Sequence, residues 1–118
     1  MIKLIALIKR REDVTQEEFR DYYEQRHAPL FQRTIPHDVR AAIVRYVQNH
    51  AVVLGSGTNA PAYDCVTEIG FEDLEAMRLW SEWYLGDGGK VLRDDEENFM
   101  DPSQRVVIVT DERDLWAG

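Results

Sequence analysis

The sequence predicts an α+β fold of the ferredoxin-like kind, βαββαβ, with a four-stranded antiparallel sheet. Three observations predict it. Residues 2–9 are a short apolar run with strand character, and a strongly capped helix follows from Thr15. Two β-rich stretches, 39–49 and 63–69, come next without a helix between them. A second helical stripe from Asp73 and a last β-rich stretch at 105–110 complete the order. That order places both helices on one face of one sheet.

The first strand is apolar on both parities, with Ile2, Leu4, Ala6 and Ile8 on one side and Ile5 and Leu7 on the other. A strand of that kind is covered on both faces. After a charged turn, Thr15 and Glu18 form a capping box, and Val14 with Phe19 forms a hydrophobic staple. Phe19, Tyr22, Tyr23 and Arg26 make the helix stripe. Ala28 precedes Pro29, so the helix is expected to end or kink at His27, with a short helical turn after it at 30–34.

Residues 39–49 read as the second strand, with Tyr46, Gln48 and His50 on one parity and Arg45, Val47 and Asn49 on the other. Which parity faces inward is open. Residues 55–61 are a Gly/Ser/Asn/Pro loop. In the second helix Leu74, Met77, Trp80 and Tyr84 recur at helical spacing, and Gly86-Asp87-Gly88-Gly89 breaks it. A short acidic helix is expected over 90–99.

The length of 118 residues fits a single domain spanning 1–118. With 44% hydrophobic and 31% charged residues the chain is globular. A net charge of −8 argues against a nucleic-acid surface and against binding an anionic membrane. The single cysteine, Cys65, rules out an intrachain disulfide, and its mid-strand position reads as a buried, inert thiol. No signal-peptide pattern and no membrane-length apolar run is present, so a cytoplasmic location is expected. Helices cover only one face of such a sheet, yet the first and fourth strands are apolar on both. A second copy packing sheet to sheet, as a homodimer whose barrel encloses a cavity, is the expected partner.

Four segments carry a family resemblance. They are Lys9-Arg10 ahead of the helix with Phe19 and Tyr22-Tyr23; His27-Ala28-Pro29-Leu30; Arg45 to His50; and Asp95 to Asp101 with Phe99. Together the four resemble the EthD domain across almost the whole chain. The resemblance implies a dimeric α/β barrel fold. It also implies kinship with proteins linked to ethyl tert-butyl ether degradation and to polyketide tailoring, including decarboxylation and dehydration. Such a name transfers a fold well and a reaction poorly.

His27 and His50 are the candidate catalytic residues. A histidine at His27 suits general acid/base work, or equally a cap on the helix C-terminus. His50 shares a parity with Tyr46 and Gln48, which would make a polar row in an apolar pocket. The plainer alternative leaves His50 solvated beyond the strand. Tyr22 and Tyr23 read as core aromatics, with one hydroxyl reaching the pocket, and His37 as a solvated turn residue. Trp80 and Trp83 read as packing residues. The run Asp94-Asp95-Glu96-Glu97 reads as a solvated face. Within it Asp95 is a pocket or catalytic candidate, or a partner for Arg45 or Arg105. No metal-ligand spacing, phosphate loop or nucleophile elbow occurs, so no cofactor or metal is predicted.

Three functions follow from these residues and the resemblance. The first is cofactor-independent acid/base catalysis, of lyase, dehydratase or cyclase type, on a small hydrophobic carbonyl compound such as a polyketide-like or aromatic-pathway intermediate. The second is a non-catalytic accessory module that binds such a ligand. The third is a haem-linked or monooxygenase-like barrel protein.

Overall fold

The computed structural model describes residues 1–55 and 60–118; most of the loop expected at 55–61 therefore lies outside the described residues. The sheet contains β1 (Ile2–Ile8), β2 (Arg45–His50), β3 (Cys65–Phe71) and β4 (Val106–Asp111) in the order β2-β3-β1-β4. Every neighbouring pair is antiparallel. This is the ferredoxin-like α+β arrangement the sequence predicts.

Register decides what each face presents. Tyr46, Ile69, Leu4 and Val109 form one cross-strand row, and Gln48, Thr67, Ala6 and Val107 the next. Both rows lie on the side of the helices. The opposite face carries Val47, Glu68, Ile5 and Ile108 in one row and Asn49, Val66, Leu7 and Val106 in another. No helix among the described residues covers that face; Val106 and Ile108 stay 40% and 47% exposed, and on the helix side of the same edge strand Val107 and Val109 are exposed to 51% and 48%. At its edge the buried Lys3 pairs with Glu68 and Glu112, which satisfies an otherwise costly buried ammonium.

The helical layer departs from expectation in two places. The first helix does not end at His27. α1 (Gln16–Tyr22) starts at the expected Thr15–Glu18 capping box. It then continues through a wider π-helical turn, Tyr23–His27, into α2 (Ala28–Thr34). The Ala28 amide donates to the Tyr23 carbonyl, five residues back. The widened turn eases the crowding that Pro29, in the first turn of α2, would otherwise cause. As a result Phe19, Tyr23, His27 and Phe31, spaced by four, are all buried, whereas Arg26, expected on the stripe, is exposed.

The second strand is also shorter than expected. Residues 37–42 form α3 (His37–Ala42), and the strand begins only at Arg45. Pro36, with φ −63°, precedes the helix, Asp38 lies in its first turn, and Val39 is buried against the core. His37 is exposed, in the first turn of a helix rather than in an isolated turn. The third and fourth strands are offset to Cys65–Phe71 and Val106–Asp111 from the stretches read in sequence.

α4 (Leu74–Leu85) and α5 (Lys90–Glu96) complete the layer. No helix among the described residues is long and apolar enough to cross a membrane. The turn between α4 and α5 depends on Gly89. A Cβ built there would lie 2.0 Å from the Tyr84 carbonyl oxygen and 2.5 Å from its Cα, so backbone would have to move. Gly89→Ala is expected to destabilise the protein by roughly 2–4 kcal/mol, read as a lower urea midpoint at unchanged m-value.

Candidate functional site

Two apolar clusters fill the space between sheet and helices. One is built on Phe19, Tyr23, Cys65 and Phe99, the other on Phe31, Phe71, Trp80 and Leu92. Between them lies a cavity of about 380 Å³. The sheet side contributes Leu4, Ala6, Tyr46, Thr67 and Ile69, and the helices contribute Tyr23, Phe31, Trp80, Tyr84 and Leu92. This cavity lies between the sheet and the helices of one chain. Trp80 is a wall of it as well as a packing residue, stacked on Tyr84 with centroids 5.2 Å apart.

His27, Glu96 and Arg105 supply the ionisable part of the wall. The His27 side chain is 4% exposed, so it is no solvated helix cap. Its Nδ1 lies 2.8 Å from Asp95 Oδ2, and its Nε2 lies 3.7 Å from Glu96 Oε2. Asp95 and Glu96 are consecutive at the end of α5, about 100° apart around the helix, which lets one carboxylate approach each ring nitrogen. Asp95 is fully engaged. Its other oxygen accepts from Tyr22 Oη at 2.6 Å and from Asn98 Nδ2 at 3.3 Å. Partial burial pulls the Asp95 carboxyl upward, but the hydrogen bonds from Tyr22 and His27 outweigh it and hold the group below the ordinary carboxylate range. Tyr22 is shifted up, by burial first and by Asp95 second.

An ionised Asp95 on Nδ1 holds the proton there and leaves Nε2 as the basic nitrogen. The partners differ from the sequence reading of the acidic run. Asp95 pairs with neither Arg45 nor Arg105. Arg105 instead binds the neighbouring Glu96, with Nη1 3.0 Å from Oε1. Tyr84 Oη donates to the same Glu96 oxygen at 2.5 Å. Burial, then the Glu96 charge, pushes the Tyr84 hydroxyl up.

Tyr46, Gln48 and His50 do share the helix side of β2, and Arg45 and Asn49 point away. Of the three, Tyr46 lines the cavity. Gln48 Nε2 donates to Tyr46 Oη at 2.8 Å and Gln48 Oε1 meets His50 Nε2 at 2.9 Å. His50 lies farther along the sheet, edge-on to Phe19 and Tyr23, with centroids 6.0 and 5.9 Å away. It is neither solvated nor on the cavity wall. Burial lowers its basicity; Glu24 acts in the opposite sense. Burial pushes the Tyr46 hydroxyl up to about 12. Tyr23 shares a 2.6 Å hydrogen bond with Thr67, and burial raises it as well. Cys65 is buried and pushed up to about 11, mainly by burial, which keeps it a thiol at neutral pH.

Glu96, Tyr84 and Arg105 were not singled out in the sequence as site residues. A signal existed for Glu96. Leu92, Glu96 and Met100 recur every four residues and all are buried, so Glu96 falls on the apolar stripe of the segment and not on its solvated face. Among the described residues no group of His, Cys, Asp and Glu could hold a metal ion.

Comparison with known proteins gives the family. The EthD domain model matches residues 11–103. A search of the curated proteins returns no match. Among solved structures, an ethyl tert-butyl ether degradation (EthD) family protein from Bacillus halodurans is 25% identical, with a TM-score of 0.64, covering 96% of this chain and 99% of that one. An EthD-like protein from Ralstonia eutropha is 16% identical with a TM-score of 0.70, covering 98% and 95%. A dimeric protein of unknown function with a ferredoxin-like fold, from Bacteroides fragilis, is 14% identical with a TM-score of 0.55, covering 94% and 95%. The last two show the fold alone. With a family model matched over most of its length and this architecture, the chain belongs to the EthD family.

Proposed function

We propose that this protein is a cofactor-independent acid/base catalyst for a hydrophobic carbonyl compound bound in the cavity. The observation that carries the reading is His27, buried at the wall of an aromatic cavity with Asp95 on its Nδ1. In this reading Nε2 takes a proton from the carbon next to the carbonyl. The C–H electron pair becomes the C=C bond of an enolate as the carbonyl π pair moves onto oxygen, and the imidazolium is stabilised between Asp95 and Glu96. Tyr46 is the hydroxyl best placed to meet the enolate oxygen: it accepts from Gln48 Nε2, which leaves its own hydrogen to donate. His50 acts here as a positioning residue, holding the Gln48 amide so that its NH₂ faces Tyr46. Dehydration, decarboxylation and cyclisation of polyketide-like intermediates all pass through such an enolate.

The test needs no natural substrate. Benzo-fused bicyclic ketones such as 2-tetralone are incubated with the protein in D₂O, and loss of the α-proton signal is followed by NMR. Faster exchange than in buffer supports the reading; no acceleration across a panel of such ketones removes it. A second reading rests on Glu96. An imidazolium flanked by two carboxylates can be a purely structural ion cluster, and the cavity then binds a ligand without chemistry. Ligand binding with no exchange favours that reading.

We also propose that the chain, as one domain, is a homodimer through the open sheet face. Ile5, Leu7, Val106 and Ile108 there form a contiguous apolar surface, and the Bacteroides fragilis relative is dimeric. Light scattering is expected to give twice the monomer mass, and Ile108→Glu to shift the protein toward monomer while leaving its circular dichroism unchanged.

A further inference from the structure

We propose that Arg105 is a specificity residue that selects a carboxylate on the ligand, so that the substrate class is an aryl or polycyclic keto acid or its anion. This rests on the reading of the cavity as the substrate site and adds the chemical group that the cavity recognises. Arg105 lines the cavity and its side chain is 24% exposed. Its contacts pass through a single nitrogen: Nη1 donates to Glu96 Oε1 at 3.0 Å and to Tyr84 Oη at 3.2 Å. Among the described residues, Nε and Nη2 make no hydrogen bond or ion pair.

Those two nitrogens form the side-on edge of the guanidinium. Their N–H bonds run parallel and match the two oxygens of a carboxylate. Spending Nη1 on Glu96 fixes the plane of the group and leaves that edge whole. Anchoring through one nitrogen is what a preorganised anion clamp requires, because the ligand then orders little on binding. The rest of the wall is aromatic and aliphatic, so the ligand is a hydrophobic body with one acidic end. Glu96 touches both Arg105 and His27, at 3.0 and 3.7 Å, so the clamp and the base are tied to one side chain. The shared Glu96 sets Arg105 and His27 on the wall of the same cavity.

Calorimetry with 2-naphthoate and its neutral isostere 2-naphthamide tests this without any turnover. The wild-type protein is expected to bind the acid about tenfold or more tighter than the amide, the scale of a charge-assisted pair. Arg105→Gln is expected to abolish that preference while leaving amide binding within about threefold, the amide serving as the check that the cavity is intact. Arg105→Lys keeps the charge without the two-donor edge and is expected to fall between the two. A wild-type protein that prefers the acid but shows no α-proton exchange with any ketone fails the reading of the function and not this one. Equal binding of acid and amide by wild type, no binding of the acid, or a preference that survives Arg105→Gln overturns the proposal.

Discussion

Replacing His27 by glutamine is expected to lower the rate of α-proton exchange by about 10²- to 10⁴-fold, the range of a positioned general base. Glutamine is close to imidazole in size and polarity, so packing against Tyr23 and Phe99, whose centroids lie 5.6 and 5.1 Å from the imidazole, is largely kept. Asp95→Asn separates two roles. An asparagine can keep a hydrogen bond to Nδ1, but its NH₂ can also donate there, which places the imidazole proton on Nε2 and removes the base from the cavity side. A loss approaching that of His27→Gln, with little change in thermal stability, identifies Asp95 as the residue that sets the tautomer. Full exchange activity in both variants would leave His27 as a structural ion-pair partner of α5.

Much of the fold was legible because local signals agreed with it. The capping box at Thr15, the helical stripe before the Gly86–Gly89 break and the apolar runs of β1 and β4 each specify one element. Two features misled. Alternation through 39–49 matches a strand, but a helix of six residues is too short for period alone to exclude, and the proline at its start was the better signal. The dipeptide Ala28-Pro29 reads as an end or a kink, and of the two the helix does not end: a π-helical turn lets it run through. The four-residue spacing Phe19, Tyr23, His27, Phe31 is the trace that turn leaves in the sequence.

The site was less legible for a geometric reason. His27, Tyr22 and Asp95 were visible as candidates, but their meeting depends on α5 docking against the π-helical turn some seventy residues away in sequence, as the separation of 68 between His27 and Asp95 records. The four-residue recurrence of Leu92, Glu96 and Met100 marks Glu96 as inward-facing, but nothing local says that it anchors Arg105 while Asp95 faces His27 Nδ1. Parity in β2 could not be read either, because both faces carry polar residues; the register with β3 decides it by placing Tyr46 opposite Ile69.

Phe99 is where stability and site geometry meet. It is fully buried and touches four rings: Tyr22 stacks on it at 4.8 Å, with Tyr23, His27 and Phe19 at 5.1, 5.1 and 5.6 Å. Phe99→Ala is expected to cost roughly 3–5 kcal/mol, from lost transfer energy and the void left among rings that cannot all collapse inward. Against a total stability of about 5–15 kcal/mol this leaves a marginal protein, seen as a large drop in urea midpoint. Phe99→Leu is the informative companion. It keeps most of the volume, costs roughly 1–2 kcal/mol and leaves the chain folded at 25 °C. It also removes the tilted ring contact that Phe99 makes with His27. Misplacing a catalytic group by about an ångström costs up to roughly 10²-fold in rate, so Phe99→Leu is expected to slow exchange well beyond any loss of folded protein. If exchange per folded molecule is unchanged, His27 is positioned by Asp95 and Glu96 alone, and Phe99 serves only the core.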